Sequence, residues 1–162
     1  MAKYYSTKTY SNEIGLSCCF RQWKSTHSHC SYLHGYSIGV KLIFESDTLD
    51  ERNWVQDFGG LKQFKDWLKD TFDHTTLVAQ DDPSLEYFKT LHSQGLEEGA
   101  TKLIDLRIVP AVGCEKFAEL AYNRMNTMLQ DNVINGTSLN PNVRLKSVEV
   151  FEHGANSATY EG

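Results

Sequence analysis

The chain has 162 residues and a formal net charge of −5. That length supplies a hydrophobic core and suits a single domain, 1–162, with no need of disulfide staples. The acidic balance argues against a nucleic-acid partner, and no apolar run reaches membrane-spanning length. The four cysteines, two of them adjacent at Cys18 and Cys19, make no disulfide framework. With an N-terminus, Met1–Ser6, that lacks the apolar stretch of a secretory signal, they point to a reducing, cytoplasmic compartment.

Tyr4 to Phe20 is rich in Tyr, Ser and Thr and suits a strand, or two strand halves around a kink at Gly15. Arg21 to Leu33 is polar and irregular and reads as a loop. Ile38, Val40, Leu42 and Phe44 then share one parity, the mark of a half-buried strand over Ser37–Glu45. After a charged turn and a short extended piece, Asp57 caps a helix with Leu61, Phe64, Trp67 and Leu68 on one face. That helix ends near Thr71. Asp81-Asp82-Pro83-Ser84 opens a shorter helix, Leu85–Leu96, stopped around Gly95, and Ile104–Val109 reads as a strand ended by Pro110.

A second long helix starts at Gly113-Cys114-Glu115, with Phe117, Leu120, Ala121, Met125 and Met128 at helical spacing. Asn132–Asn142 is a loop. Val143–Glu152 is a strand whose apolar parity changes midway, which predicts a bulge or burial on both faces. Gly154-Ala155-Asn156 turns the chain into a last strand, Ser157–Glu161. Two strands, two long helices and two strands give an α+β domain, ββααββ, with an antiparallel sheet and both helices on one face. The open edges of such a sheet invite pairing with other copies of the chain.

The chemistry concentrates in His27-Ser28-His29-Cys30-Ser31-Tyr32-Leu33-His34, which holds half of the chain's six histidines and one cysteine. Imidazole and thiolate bind borderline metals such as zinc, and a cysteine beside histidines also suits nucleophilic or basic chemistry. A polar surface loop is the alternative reading of the same residues.

Cys30-x-x-x-His34-Gly35, opening a strand, resembles the Cys-x-x-x-His-Gly-His element of the 6-pyruvoyl/6-carboxytetrahydropterin synthase family. Four more stretches resemble that family in its own order: Asp57-Phe58-Gly59-Gly60-Leu61-Lys62, Phe72-Asp73-His74-Thr75-Thr76-Leu77, Gly113-Cys114-Glu115-Lys116-Phe117-Ala118, and Val148-Glu149-Val150-Phe151-Glu152. The resemblance implies the tunnelling fold, in which subunits pair their sheets into a barrel with active sites between them. A homo-oligomer, with a hexamer favoured, follows.

By the same resemblance the substrate is a small pterin, 7,8-dihydroneopterin triphosphate. The reaction is a lyase step of the 6-carboxytetrahydropterin type, in the route to queuosine and other 7-deazapurines. Cys30 is then the general base or acid, with Asp73 and His74 completing a relay. Glu152 accepts hydrogen bonds from the pterin's amino group and ring nitrogen, and Glu115, Cys114 and Phe58 join it around the ring. Each has a plainer alternative. Asp73-His74 could cap a helix end, Glu115 could complement the helix dipole, and Glu152 could be a charge at a strand end.

The departures fall on the metal. The family holds zinc with three histidines. Alignment of Leu16–Arg21 with the family's first strand puts Phe20 at the first ligand, and Tyr36 takes the third. Only His34 remains in place. A zinc site rebuilt from the loop side would use His34 with His29 and His27; otherwise zinc has been lost and the protein binds a pterin or purine without the zinc-dependent reaction. The insert from Asp81 to Val109 is a further departure: it lengthens the link between the helices and is expected to reshape the pocket rim.

Overall fold

Alternation builds the central strand. Ile38, Val40, Leu42 and Phe44 are all fully buried along β3 (His34–Ser46), in the computed structural model that describes residues 2–94, 102–131 and 140–162. β1 (Tyr4–Tyr10) and β2 (Leu16–Phe20) are the two expected halves, and Gly15 between them holds a left-handed φ of 80° that a side chain would strain. Both lie antiparallel to β3 on the same edge. β2 pairs its first half, Phe20 opposite His34, and β1 its second, Tyr4 opposite Ser46. The other edge of β3 takes β6 (Arg144–His153), which in turn pairs with β7 (Asn156–Glu161). The parity change expected in β6 is real: its register against β3 shifts at Ile43/Phe44.

The two long helices are α1 (Lys62–Phe72) and α3 (Cys114–Gln130). A one-turn 3-10 segment, Phe58–Leu61, leads into α1, with the Asp57 carboxylate accepting from the Gly59 N–H at 2.8 Å. Phe64, Leu68 and Phe72 of α1 and Phe117, Ala118, Ala121 and Met125 of α3 are buried together with Leu16, Ile38, Val40, Leu42, Phe44, Val148 and Val150 of the sheet. Phe72 and Phe117 meet edge to face at 5.4 Å. Gly39 is a packing glycine. A Cβ there would lie 2.2 Å from the Phe151 ring on the neighbouring strand.

The antiparallel ββααββ frame carries an addition. Thr75–Ala79 is a strand, β4, parallel to β2, and β5 (Leu106–Val109) is parallel to β4. The sheet is therefore mixed, in the order β5-β4-β2-β3-β6-β7, with β1 also on β3. Every residue of β4 is buried, so it has no alternation to betray it. Parallel neighbours need a crossover, and α2 (Leu85–Gln94) supplies it. The expected stop at Gly95 and most of the loop Asn132–Asn142 lie outside the described residues. Among the described residues no helix is long and apolar enough to cross a membrane.

Candidate functional site

The histidine-rich loop is built before its cysteine is placed. The Gln22 N–H donates to the Cys30 carbonyl at 2.8 Å and closes the loop, while the Ser28 hydroxyl caps a 3-10 turn, His29–Ser31, through the Cys30 N–H. Three contacts anchor it to the start of the 81–109 insert. Arg21 makes a two-pronged ion pair with Asp82 at 2.7 and 2.9 Å, Trp23 donates its indole N–H to Asp81 at 3.3 Å, and Lys24 pairs with Asp81. A further Arg21 nitrogen donates to the Ser31 carbonyl, one residue past Cys30.

The Asp82 side chain is almost fully buried. Burial alone would raise its carboxyl, but the hydrogen bond from Arg21 and that from the Ser84 N–H outweigh it and hold the group below the usual carboxylate range. A carboxylate lowered in the folded state adds stability above its unfolded value, near pH ~4, and that stability is lost as pH falls through the folded value. Asp82→Ala is expected to cost about 3 kcal/mol in urea unfolding, the low end for a broken buried pair because Arg21 keeps some contact with water. The loss should vanish in acid, where the wild-type pair is also broken. An unchanged unfolding midpoint at neutral pH would show that the loop is not anchored here.

Cys30 faces a cleft of about 390 Å³ shared with Phe20, His34, Tyr36, Cys114, Glu115 and Glu152. Three elements converge on it. The first is the N-terminus of α3, where Gly113 at φ 116° leads into Cys114. The second is the end of β6, where the register against β7 shifts between Phe151 and His153 and leaves Glu152 in the bulge. Asn12, from the turn before β2, donates its amide N–H to the carbonyls of Phe151 and Glu152 at 3.3 and 3.2 Å and pins that bulge. The third is the start of β3.

On the floor, the Cys114 thiol donates to the Glu152 carboxylate at 3.5 Å. Burial, then the neighbouring carboxylates Glu152 and Glu115, push Cys114 up to about 12, so it stays a thiol at neutral pH. Cys30 is exposed, so the two cysteines of the cleft differ in kind. Asn156 and Ser157 of β7 and Gln22 complete the rim. None of these three, nor Asn12, carries a sequence signal, because only the fold brings them to the cleft.

Cys30, Cys114, Glu115, Glu152 and His34 are thus brought together, and Asp73, His74, Phe58, His27 and His29 are not. Asp73 and His74 do form the expected dyad, with His74 Nδ1 2.8 Å from an Asp73 oxygen. His74 has a left-handed φ of 57°, and its N–H donates to the Ser17 carbonyl. The ring, however, lines a separate cavity with Cys19, Thr76, Lys102 and Asp105. Phe20 and Cys18 point to the helices, so Cys19 between them, whose sulfur lies 3.3 Å from the Thr76 hydroxyl, faces the opposite side of the sheet. Within one chain the dyad and Cys30 lie on opposite faces. Phe58 belongs to a third cavity, with Tyr4, Tyr5, Trp54 and Gln56.

The donor set does not fit the expected zinc site. His27 and His29 are exposed and outside the cleft, and the His29 ring stacks on Tyr32 with centroids 5.5 Å apart. Both nitrogens of His34 are engaged, Nδ1 with the Tyr32 carbonyl and Nε2 with the Tyr36 hydroxyl, each at 2.6 Å. Phe20 stacks on Tyr36 and has no lone pair to give. Among the described residues no three His, Cys, Asp or Glu side chains are grouped to hold a metal ion. The crowding of histidines along the loop does not become convergence in space: His27 and His29 are exposed outside the cleft, while His34 opens β3 and lines it.

A helix-backed α+β sheet with two carboxylates and two unlike thiols in a cleft at the N-terminus of α3 marks the class. The chain belongs to the 6-pyruvoyl tetrahydropterin synthase family, whose sequence model matches residues 9–162. It is 24% identical over 173 aligned residues to a 6-carboxy-5,6,7,8-tetrahydropterin synthase of Aquifex aeolicus, covering 98% of both chains. A Rickettsia bellii protein of the same name is 33% identical over 57 residues, 35% of this chain and 41% of that one. Among solved structures, an uncharacterized protein of Wolinella succinogenes aligns over 99% of both chains with a TM-score of 0.79 at 18% identity. The Caenorhabditis elegans 6-pyruvoyl tetrahydropterin synthase aligns over 99% of this chain and 95% of its own with a TM-score of 0.57, also at 18% identity. These structural likenesses establish the tunnelling fold.

Proposed function

We propose that the protein is a lyase of the 6-carboxytetrahydropterin synthase type, acting on 7,8-dihydroneopterin triphosphate in the cytoplasm and serving 7-deazapurine formation such as that of queuosine. The observation that carries this reading is the cleft that joins Cys30 at its mouth to the Glu152–Cys114 pair on its floor. A pterin ring offers an amino group and a ring N–H side by side, and a carboxylate accepts from both at once. The Cys114 thiol, holding one Glu152 oxygen, keeps that carboxylate aimed. With the ring so anchored, its side chain runs toward Cys30.

In the proposed step Cys30, as thiolate, takes a proton from the side-chain carbon next to the one bearing triphosphate. The C–H electron pair forms a carbon–carbon double bond, and triphosphate leaves with the C–O pair. The Asp73–His74 dyad then gives a proton to the carbon that bore triphosphate and takes the one released by the enol hydroxyl, leaving a ketone, while the proton on Cys30 passes to water. The dyad faces the other side of its own sheet, so a neighbouring copy must present it to this cleft. The expected assembly is therefore a symmetric homo-oligomer, a hexamer in the first instance. Light scattering should show it at micromolar concentration, and purified protein should release triphosphate from dihydroneopterin triphosphate. A monomer with full turnover would overturn the shared site.

A second reading, a pterin- or purine-binding protein of this fold without lyase activity, draws support from the engaged donors around His34. Ligand binding without turnover would select it.

A further inference from the structure

Phe20, Tyr36 and His34 form a triangle on the helix face of the sheet. Phe20 lies directly opposite His34 across the β2–β3 ladder, and Tyr36 is two residues along the same face. Their ring centroids are 5.0 to 6.1 Å apart, close enough that three imidazoles on the same backbone would converge on one ion. Here the triangle is filled. Phe20 is 5% exposed, stacked on Tyr36 and set edge-on to Phe117 at 4.9 Å, so it belongs to the core.

The hydrogen bonds of the triangle have a direction. The Tyr32 carbonyl can only accept, so His34 Nδ1 donates to it. In the neutral ring Nε2 then accepts, and the Tyr36 hydroxyl must donate to it. The Tyr36 oxygen keeps lone pairs with which to accept, and Tyr36 lines the cleft together with Cys30, Glu152 and Cys114.

We propose that this triangle replaces the metal site outright, and that Tyr36 is a ligand-binding residue whose oxygen accepts a hydrogen bond from a hydroxyl of the ligand's side chain, with His34 as its positioning residue. The proposal deepens the pterin reading above and rests on it for the ligand. Its metal half stands independently.

Zinc titration by calorimetry and elemental analysis of the full-length protein test that half. Wild type should hold zinc well below one ion per chain, and the double variant Phe20→His, Tyr36→His should take up about one, the three-histidine stoichiometry. Stoichiometric zinc in wild type that is lost in His34→Ala would overturn the proposal, as would a folded double variant that takes up none. Tyr36→Phe, which keeps the ring packing, tests the other half without risk to the fold. It should weaken binding of neopterin, whose side chain carries hydroxyls, about tenfold, and leave binding of unsubstituted pterin unchanged. Equal weakening of both, or of neither, would remove Tyr36 from the site. If neither compound binds wild type, the pterin reading has failed while the zinc result still stands.

Discussion

Cys30→Ala is expected to lower turnover of dihydroneopterin triphosphate by roughly a hundredfold or more, the scale of a lost general acid–base group, while folding and pterin binding stay near wild type. Cys30 is exposed at the cleft mouth on a loop that Arg21 and Gln22 hold from behind, so removing its sulfur leaves no cavity in the core. Cys114→Ala should behave differently. Its thiol is buried and kept protonated, so the variant should weaken ligand binding by less than about tenfold, as befits one weak hydrogen bond, and spare the chemical step. The opposite pattern would make Cys114 the reactive thiol.

The same variant tests the assembly. His74→Ala alone should be as impaired as Cys30→Ala. Co-refolding the two inactive variants should restore part of the activity, because some clefts would then pair an intact Cys30 with an intact dyad from the adjacent copy. Two variants that never complement, in an oligomer shown to have mixed, would place Cys30 and His74 in unconnected sites.

Glu152→Gln should cost roughly a hundredfold in pterin affinity, read by quenching of ligand fluorescence. A glutamine offers one acceptor and one donor where the ring edge presents two donors. One charge-assisted hydrogen bond is reduced to a neutral one and the other is replaced by a donor–donor clash, together about 2–3 kcal/mol. The fold should not suffer, because Asn12 holds the bulge through backbone carbonyls that the substitution leaves alone. Glu115→Gln serves as the control. It is exposed at the first turn of α3, and a loss equal to that of Glu152→Gln would move the anchor to Glu115.

What was legible in the sequence was whatever repeats along the chain. Alternation located β3, the 3.6-residue stripe located α1 and α3, and the broken parity of β6 located its bulge. Short motifs with fixed spacing, Cys30-x-x-x-His34-Gly35 foremost, pointed to the family and to five residues of the cleft. β4 escaped because a strand buried on both faces has no period to read.

The rest belonged to tertiary structure, because distance along the chain says nothing about which way a side chain faces. His27, His29 and His34 look like a ligand set in sequence, yet His27 and His29 are exposed to solvent and Tyr36 occupies the third. Asp73 and His74 read as partners of Cys30, yet the sheet lies between them, a separation fixed by the parity of β2. Asp82, unremarkable in a helix-start motif, holds the Cys30 loop only because the insert packs back against Arg21. By itself the sequence determined the elements other than β4, the family and the types of group in the site. Folding decided which of those groups share one face of the sheet, since pairing register, not sequence spacing, sets where side chains meet.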